Sequence, residues 1–590
     1  MSLFVLGITS YSLLNCCIKK KSPEVVIEQR LVTEIDSFST FVDTELLPVA
    51  ESPQPDSRRL QQLFLQARLL YKRFEWAAEY FTPNATRTVN GPPVPEVELS
   101  GQVKPPGGLQ VIEAYLFPVY DPAKRTELIG QLKQLTASCV IYQLYYKHIP
   151  VLDWQIWAAA KQQVYRVLTL GITGFDDPLS MRSMQESACS LDGVRDALIL
   201  YPIKVPDSLF NAASLYLKEN PNFNSFDRAA FISHYGNPLT TGLAKTEKHL
   251  NLHGLHYGRL LRQNASTMFD TDAFNSMVYA VNPNSQDSNT VVKIALGRKL
   301  FNDPLLSGTR TRSCASCHNP NNAFTDGLSK NTSLTGRNLI NRHTPTLLNA
   351  AFQPAQFADL RVSTLEEQVQ DVIENANEMR SSLKQVCDRL QKNRMYLKLF
   401  SATYGVNQEY ITPTEVTEAI STYVRSLSKL DSRFDCYMRG NADAMSLEEL
   451  KGFNLFMGKA RCGTCHYMPL FNGALPPLYE KMDAEVIGIP ASRNTRIVDP
   501  DRGRYLIVRA DPLDHAFKTP TVRNAARTAP YMHNGIFDSL EEVINFYNNG
   551  GGKGTAMKIN NQTLSMVPLK LSTEEQHELI AFIKSLNSRL

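Results

Sequence analysis

The amino-acid sequence predicts a mainly α-helical protein in which an N-terminal helical bundle is followed by two smaller helical domains. Three observations predict this class. Apolar residues recur every three or four positions through much of residues 25–265, a polar and turn-rich segment follows, and two later stretches each hold one Cys-x-x-Cys-His pentad. At 590 residues the chain is also too long for one hydrophobic core, so several domains are expected.

The bulk composition excludes one class of partner. Lysine and arginine total 62, aspartate and glutamate total 58, and the formal net charge is +4. So small a charge on so long a chain gives no electrostatic attraction for polyanions. We therefore exclude nucleic acid as a partner.

The first 22 residues, MSLFVLGITSYSLLNCCIKKKS, are predicted to be a signal segment of the lipoprotein type. Their apolar stretch has the length of a signal-peptide core and is too short to span a bilayer stably. In a lipoprotein, Cys16 or Cys17 would carry the lipid after cleavage, giving a membrane anchor. The segment lacks a basic start and has Asn15 before the cysteines, so a frayed tail or a misassigned start codon is the alternative.

Residues 23–282 are predicted to form an antiparallel helical bundle. Within 58–81, apolar side chains recur at helical spacing, which places them on one face of a long helix. A similar pattern occupies 128–146. The segment 82–108 between them is rich in Pro and Gly and is predicted to be a loop.

Two features of this bundle raise the question of a metal site. The phrase GGLQVIEAYLF is similar to the Gly-x-His-x-x-Glu segment of imelysin-like helical domains, with Glu113 present but Gln110 where the histidine belongs. His249, His253 and His256 follow the i, i+4, i+7 spacing of one helix face and could hold a transition metal. The alternative for the histidines is a polar face or hydrogen bonding within the bundle.

Two smaller domains, residues 291–440 and 441–590, are predicted to follow a linker at 283–290. Each carries its pentad just after a helix-like phrase, IALGRKLFNDPLLSG in the first and LKGFNLFMGKA in the second. The repetition indicates two related domains with the same chemistry. The first pentad contains Cys314, Cys317 and His318, and the second contains Cys462, Cys465 and His466.

Cys-x-x-Cys-His is the attachment signature of c-type haem. Two thiols on one turn reach the porphyrin vinyl groups as thioethers, and the adjacent imidazole faces the iron as its proximal ligand. The sequence therefore predicts two covalently bound haem c groups in two c-type cytochrome domains, with His318 and His466 as iron ligands. Haem of this kind is attached outside the bacterial cytoplasm, so the predicted location is the periplasm.

Two other uses of the pentads are weaker. A zinc site built from both Cys-x-x-Cys units would leave both histidines unexplained. A thioredoxin-like redox pair would need an α/β pattern, and none is visible in the sequence.

Residues 292–590 resemble the di-haem cytochrome c peroxidase and MauG family. The phrases that carry the resemblance are LGRKLFNDPLLSG, CASCHNPNNAFTDG, RHTPTLLNAAF, TLEEQ, GKARCGTCH, FKTPTVRNAARTAPYMHNG and SLEEVINFY. The resemblance implies that peroxide reacts at the His318 haem and that the His466 haem passes electrons to it. It also implies that Gln368 and Glu378 lie on the distal side of the first haem, where a carboxylate shuttles the proton that O–O cleavage requires.

The resemblance also identifies a second ligand for the His466 haem. The peroxidases place a methionine fourteen residues after the histidine of a Pro-Tyr-x-His phrase, whereas MauG has a tyrosine there. Here that position, counted from His533, is Tyr547. A phenolate favours Fe(III), so Tyr547 is expected to lower the potential of this haem. The alternative is that Tyr547 is a core aromatic near the haem edge.

Three departures from the family pattern are visible. The tryptophan that the family places between its haems is Ala358 here. The family also binds calcium there, and its carbonyl ligands match Thr528 and Pro530, but the Asn ligand position is His343, which is a weak ligand for a hard cation. Residues 319–342 contain no histidine that could cap the first haem, so that haem is expected to be open without activation.

The sequence thus predicts a di-haem c-type peroxidase that reduces hydrogen peroxide to water with electrons from an external donor such as a cytochrome c. Two alternatives remain open. One is a MauG-like oxidase acting on a protein or organic substrate, which Tyr547 favours and Ala358 weakens. The other is a di-haem electron carrier without turnover.

Overall fold

A computed structural model describes residues 21–201, 207–252, 254, 258–283, 290–405 and 410–589. Among these residues helices dominate and the strands form two short antiparallel pairs, which confirms the predicted mainly α class. The proposed lipidation sites Cys16 and Cys17, and most of the predicted linker, lie outside the described residues. Within those residues, no helix combines the length and the apolar character needed to cross a bilayer.

The elements are α1 (Pro23–Phe41), α2 (Leu47–Glu51), α3 (Ser57–Phe81), α4 (Pro83–Asn90), β1 (Glu96–Val97), β2 (Val103–Lys104), α5 (Leu109–Leu116), α6 (Arg125–His148), α7 (Asp153–Thr169), α8 (Ser183–Leu198), α9 (Asp207–Glu219), α10 (Arg228–Phe231), α11 (Asn237–His249), α12 (Thr290–Phe301), α13 (Leu365–Glu374), α14 (Leu383–Gln391), α15 (Arg394–Tyr404), α16 (Pro413–Ser426), α17 (Arg433–Met438), α18 (Leu447–Met457), β3 (Ala484–Glu485), β4 (Phe517–Lys518), α19 (Leu540–Asn548), α20 (Gly551–Gly554) and α21 (Thr573–Ser585). Strand β1 pairs with β2, and β3 pairs with β4.

The long helix predicted at 58–81 is α3, and its ends have local causes. Asp56 caps the first turn, because its carboxylate accepts hydrogen bonds from the backbone N–H groups of Arg58 and Arg59 at 2.9 and 3.1 Å. The helix stops at Phe81, just before Pro83. Its apolar face packs against α1, α7 and α8 in the centre of the bundle.

The segment 82–108 was predicted to be a loop, and this prediction is wrong in part. It contains the helix α4 and the hairpin β1–β2. Pro83 is the first residue of α4, a position where its fixed φ favours a helix and its missing N–H costs nothing. The proline therefore starts an element there rather than interrupting one.

The predicted helix face with His249, His253 and His256 is supported only at His249 within the described residues. Helix α11 ends at His249, and Asn251 has a left-handed backbone with φ of 52°. His253 and His256 lie outside the described residues. The spacing of the histidines alone could not show that the helix ends before the second of them.

The helical bundle and the second cytochrome domain share one hydrophobic core. Its buried side chains come both from residues 27–274 and from residues 434–586. Polar contacts reinforce the shared core, as the Oδ1 of Asn454 accepts hydrogen bonds from the N–H groups of Arg228 and Ala229 at 2.9 and 3.1 Å. The bundle therefore packs directly on the domain that carries the second pentad.

In each cytochrome domain, two helices cross at a glycine that lets their backbones approach closely. Helix α12 crosses α16 at Gly297, where a Cβ atom would lie 1.9 Å from the carbonyl oxygen of Ala419. Helix α18 crosses α21 at Gly452, where a Cβ atom would lie 1.9 Å from the carbonyl oxygen of Glu578. Only glycine allows these backbones to approach so closely. The shared arrangement agrees with the repetition seen in the sequence.

Candidate functional site

Both pentads face one continuous cavity of about 2980 Å³. This volume is several times that of a pocket for one drug-sized ligand, which is roughly 300–1,000 Å³. The cavity runs between the two cytochrome domains and reaches the helical bundle. Its size and its lining are suited to more than one large planar group.

The first pentad forms a tight turn that presents its histidine. The N–H of His318 donates to the carbonyl of Cys314 at 2.9 Å. The Nδ1 of His318 lies 3.0 Å from the carbonyl oxygen of Phe324, so Nδ1 carries the proton and donates it. Nε2 is then the nitrogen available to a metal, and burial lowers the pKa of His318, which favours the neutral form that metals bind.

The second pentad repeats this geometry with a partner from a distant part of the chain. The N–H of His466 donates to the carbonyl of Cys462 at 2.9 Å. Its Nδ1 lies 3.0 Å from the carbonyl oxygen of Pro520. Burial lowers the pKa of His466 to about 4, so the imidazole is neutral and its Nε2 is the available nitrogen.

The four pentad cysteines are suited to thioether formation rather than to a zinc site. They are free thiols, and burial raises the pKa of Cys314 to about 12, that of Cys317 to about 11 and that of Cys462 to about 12. Across the described ranges, no group of three or more His, Cys, Asp or Glu side chains is arranged to hold a bare metal ion. The zinc alternative is therefore not supported, whereas the residues present fit haem c at both pentads.

Gln368 and Glu378 lie in the wall of the cavity together with the first pentad. Gln368 is on α13, and Glu378 follows the end of that helix, where the side-chain amide of Asn375 donates to its Oε1 at 2.8 Å. Burial raises the pKa of Glu378, an effect that the nearby Arg361 guanidinium opposes. The structure thus places a carboxyl group of altered acidity near the first pentad, and its catalytic role stays a prediction.

Tyr547 lies beside the second pentad on helix α19. Burial raises the pKa of its phenol, and the neighbouring Cys465, Cys462 and Glu485 raise it further. A phenolate here therefore needs a cation to stabilise it, as a ferric iron would. This position is consistent with Tyr547 as a haem ligand, and that role stays a prediction.

Two acidic side chains near the second pentad were missed by the sequence reasoning. The Oδ2 of Asp483 accepts a hydrogen bond from the Tyr467 hydroxyl at 2.8 Å, and the Oε1 of Glu485 lies 3.9 Å from the Sγ of Cys465. Burial raises the pKa of Asp483 to about 6 and that of Glu485 to about 7. No motif marks them, because they are buried by residues distant in sequence, such as Tyr467 and Phe517.

The region between the two pentads also contains contacts that the sequence did not reveal. The carbonyl of Ala358 accepts a hydrogen bond from the N–H of Lys518 at 2.8 Å. Next to Lys518, the ring of Phe517 stacks on the ring of His533, with centroids 3.8 Å apart and planes 8° apart. An aromatic pair thus lies in the cavity wall even though Ala358 replaces the family tryptophan.

The residues matched to calcium ligands lie near one another in the cavity wall. Thr528, Pro530 and His343 all line it. The ring Nδ1 of His343 lies 2.8 Å from the carbonyl oxygen of Leu328. The backbone N–H of His343 donates to the carbonyl of His533 at 2.8 Å. Calcium binding stays a prediction.

The helical bundle contributes to the cavity on the side of the second pentad. Arg87, Gln110 and Arg166 line it, and the ring of Phe175 contacts that of Tyr467 with centroids 6.0 Å apart. Gln110 donates to the carbonyl of Asn90 at 3.0 Å. The imelysin-like character of this region also stays a prediction.

Comparison with known proteins points to one family. Residues 292–443 match the family model described as di-haem cytochrome c peroxidase. The chain is 34% identical over 299 residues to the methylamine utilization protein MauG of Methylorubrum extorquens, covering 51% of this chain and 79% of the relative. It is 33% identical over 314 residues to the cytochrome-c peroxidase IdrP1 of a Pseudomonas species, covering 50% of this chain and 80% of the relative.

Solved structures include a similar protein. A MauG-like protein associated with microbial copper homeostasis is 29% identical, with a TM-score of 0.45, and the match covers 50% of this chain and 89% of that one.

Proposed function

The chain belongs to the family of di-haem cytochrome c peroxidases and MauG proteins, and from that premise we propose that it is a peroxidase. In the proposed reaction, hydrogen peroxide takes up two protons and two electrons and gives two molecules of water. The electrons come from an external protein donor such as a c-type cytochrome. The similarity to cytochrome-c peroxidases supports this donor class.

The chain's own residues orient and protonate the reactants. When bound, the two haem c groups supply redox-active iron, one toward peroxide and one toward the donor. The hydrogen bond to Phe324 fixes the tautomer and orientation of His318. Glu378, held by Asn375, accepts a proton from one peroxide oxygen and returns it to the other, while Gln368 orients the peroxide.

One observation carries this proposal: a half-buried carboxyl group, Glu378, lies in the cavity wall beside the first pentad. The test uses holo-protein from a host competent in cytochrome c maturation, mixed with hydrogen peroxide and a reduced cytochrome or an artificial donor. We expect two one-electron donors to be oxidised for each peroxide consumed. Two haems per chain without any donor oxidation would instead support the electron carrier.

The haem content and ligation can be measured on the same material. A pyridine haemochrome assay is expected to find two haem c groups per chain. The EPR spectrum of the oxidised protein is expected to show a high-spin haem beside a low-spin one, because the first site lacks a capping histidine. A spectrum that is entirely low-spin would contradict an open first site.

A second candidate is a MauG-like oxidase that withdraws electrons from a protein or organic substrate. Tyr547 favours it, because a phenolate ligand stabilises high oxidation states and lowers the potential of the second haem. A second haem too low in potential to accept electrons from reduced cytochrome c would support this candidate over the peroxidase.

The cellular location, the lipid anchor and a calcium site are also part of the proposal. The protein is periplasmic and is anchored by lipid on Cys16 or Cys17, as the composition of residues 1–22 supports. Calcium binds the carbonyl oxygens of Thr528 and Pro530 between the haems. Radiolabelled palmitate incorporation, and calcium analysis of the purified protein, test these two points separately.

A further inference from the structure

The second half of helix α6 exposes apolar side chains toward solvent. Its inner face packs against α1, α2, α4 and α5, yet its outer face is also apolar. A helix that is apolar all round is normally covered on every side. The exposed side chains of α6 and of the turn that follows it, which we call the α6 patch, are Val140 (48% exposed), Ile141 (52%), Leu144 (53%), Ile149 (46%) and Leu152 (49%).

The chain enters the bundle beside the α6 patch. The Oε1 of Glu28, on α1, accepts a hydrogen bond from the N–H of Val151 at 2.9 Å. One turn earlier, the carboxyl of Glu24 is hydrogen-bonded to that of Asp153. The start of α1 is therefore fixed next to Leu152, close to residue 21, where the described part of the chain begins.

The sequence of that preceding segment is suited to a membrane surface. It contains an apolar stretch and ends in three consecutive lysines, residues 19–21. Lysines close to an anionic leaflet are attracted to it electrostatically. A lipid on Cys16 or Cys17 would leave only four or five residues before Lys21, which span at most about 18 Å.

The rim of the α6 patch has the composition of a membrane interface. Tyr145 and Trp154 are half-buried beside it, and aromatic side chains of this kind are enriched at the level of lipid headgroups. Lys147 and His148 are exposed at the end of α6. Four acidic side chains nearby are unfavourable. Glu24 and Asp153 are hydrogen-bonded to each other, Glu28 accepts from the N–H of Val151, and Asp36 accepts from the side-chain amide of Gln143.

We infer that the α6 patch is a docking surface for an anionic phospholipid bilayer. In this arrangement the bundle rests on the membrane through the outer face of α6, and the patch side chains enter the headgroup region. None of the patch side chains lines the haem cavity, so the proposal does not depend on the proposed peroxidase activity. The proposal also does not depend on lipidation, although a lipid on Cys16 or Cys17 would likewise hold the protein at the membrane.

The test measures which surface of the full-length holo-protein contacts lipid. Ile141 is replaced by a genetically encoded ketone residue that carries a nitroxide, and Leu215, which is 54% exposed on α9, receives the same label as a control. Each protein is mixed with vesicles of phosphatidylethanolamine and phosphatidylglycerol. EPR power saturation then gives the accessibility of each label to oxygen, which dissolves in lipid, and to a water-soluble nickel chelate.

We expect vesicles to lower nickel accessibility at position 141 several-fold and to raise oxygen accessibility there, with no change at position 215. Equal nickel accessibility at 141 with and without vesicles would overturn the proposal. A label at 141 that is already shielded without vesicles would also overturn it, because another protein surface or a second copy would then cover the patch.

A double variant gives an independent check. With the label at Ile149, the changes Ile141→Asp and Leu144→Asp are expected to abolish the protection by vesicles, while an unchanged Soret spectrum shows that the protein is folded. Protection that persists in this variant would contradict the assignment.

Discussion

At the scale of single residues, the half-buried carboxyl of Glu378 is expected to make the proposed peroxide turnover sensitive to pH. Burial raises the pKa of Glu378, and the group must be deprotonated to accept a proton from peroxide. The value of kcat/KM for peroxide should therefore fall as the pH drops through this raised pKa. We expect Glu378→Gln to lower kcat by roughly 100-fold or more and to remove this pH dependence, measured by steady-state donor oxidation.

The matched control is Glu374→Gln, at an exposed glutamate at the end of α13. It should leave turnover and its pH profile unchanged. If Glu378→Gln kept the activity and the profile of the original protein, Glu378 would have no part in proton transfer.

Tyr547 gives a second prediction at this scale. Tyr547→Met should raise the reduction potential of the second haem, because a thioether favours Fe(II) more than a phenolate does. Spectroelectrochemical titration measures the shift, and the exposed Tyr410→Phe is the control. An unchanged potential and EPR spectrum would mean that Tyr547 does not bind iron.

The residue-level chemistry could be predicted from the sequence where a covalent pattern fixes it. The spacing of the pentads predicts His318 and His466 as iron ligands, and the structure shows what each Nδ1 contacts, which is consistent with that prediction. Asp483 and Glu485 could not be found in this way, since their altered pKa values come from burial by segments distant in sequence.

At the scale of elements, two glycines should respond to alanine in opposite directions. At Gly297, a Cβ would meet the carbonyl oxygen of Ala419 at 1.9 Å, so Gly297→Ala should separate α12 from α16 and lower the free energy of unfolding by about 1–3 kcal/mol. At Gly130, inside α6, nothing lies within 4 Å of the added atom. Gly130→Ala should therefore raise stability by about 0.5–1 kcal/mol.

Chemical denaturation of both variants measures these changes. A stabilised Gly297→Ala protein would mean that the α12–α16 crossing is wider than described. The Gly130 variant is the control, because it measures the effect of alanine on helix stability at a site where the added Cβ atom meets no neighbour.

Elements were predictable where apolar periodicity was long and unbroken. Helices α3, α6, α12 and α18 lie where the sequence patterns placed them. Helix α4 was missed because its proline was treated as a breaker, although at the first position of a helix proline is favourable. The end of α11 was missed because a left-handed residue such as Asn251 leaves little trace in the pattern.

At the scale of the whole molecule, the shared core predicts coupled unfolding of the bundle and the second cytochrome domain. All three tryptophans, Trp76, Trp154 and Trp157, are in the bundle, whereas the haems report on the cytochrome domains. Urea unfolding followed by tryptophan fluorescence should therefore coincide with a transition in the Soret band. Two well-separated transitions would contradict a shared core.

A variant at the contact sharpens this prediction. Asn454→Ala leaves the N–H groups of Arg228 and Ala229 without their acceptor, which costs about 1–2 kcal/mol. Both optical signals should shift together to lower urea. Asn211→Ala, at an exposed position on α9, should shift neither.

The contact between the bundle and the second pentad could not be predicted from the sequence. Periodicity shows which face of a helix is buried but not which partner buries it. The predicted domain boundaries at 23–282, 291–440 and 441–590 also stay predictions, because periodicity does not show which helices pack together. The sequence contains no signal for the long-range packing that brings Phe175 against Tyr467.

The two proximal histidines differ in when their partners become available during biosynthesis. The carbonyl that orients His318 is six residues away, whereas the one that orients His466 is 54 residues away. In the export to the periplasm that we propose, the first imidazole can adopt its final orientation almost at once as the polypeptide leaves the translocation channel. The second must wait until much of the carboxyl-terminal portion has emerged, so we expect maturation of the two prosthetic groups to be sequential, with the peroxide-side group secured first.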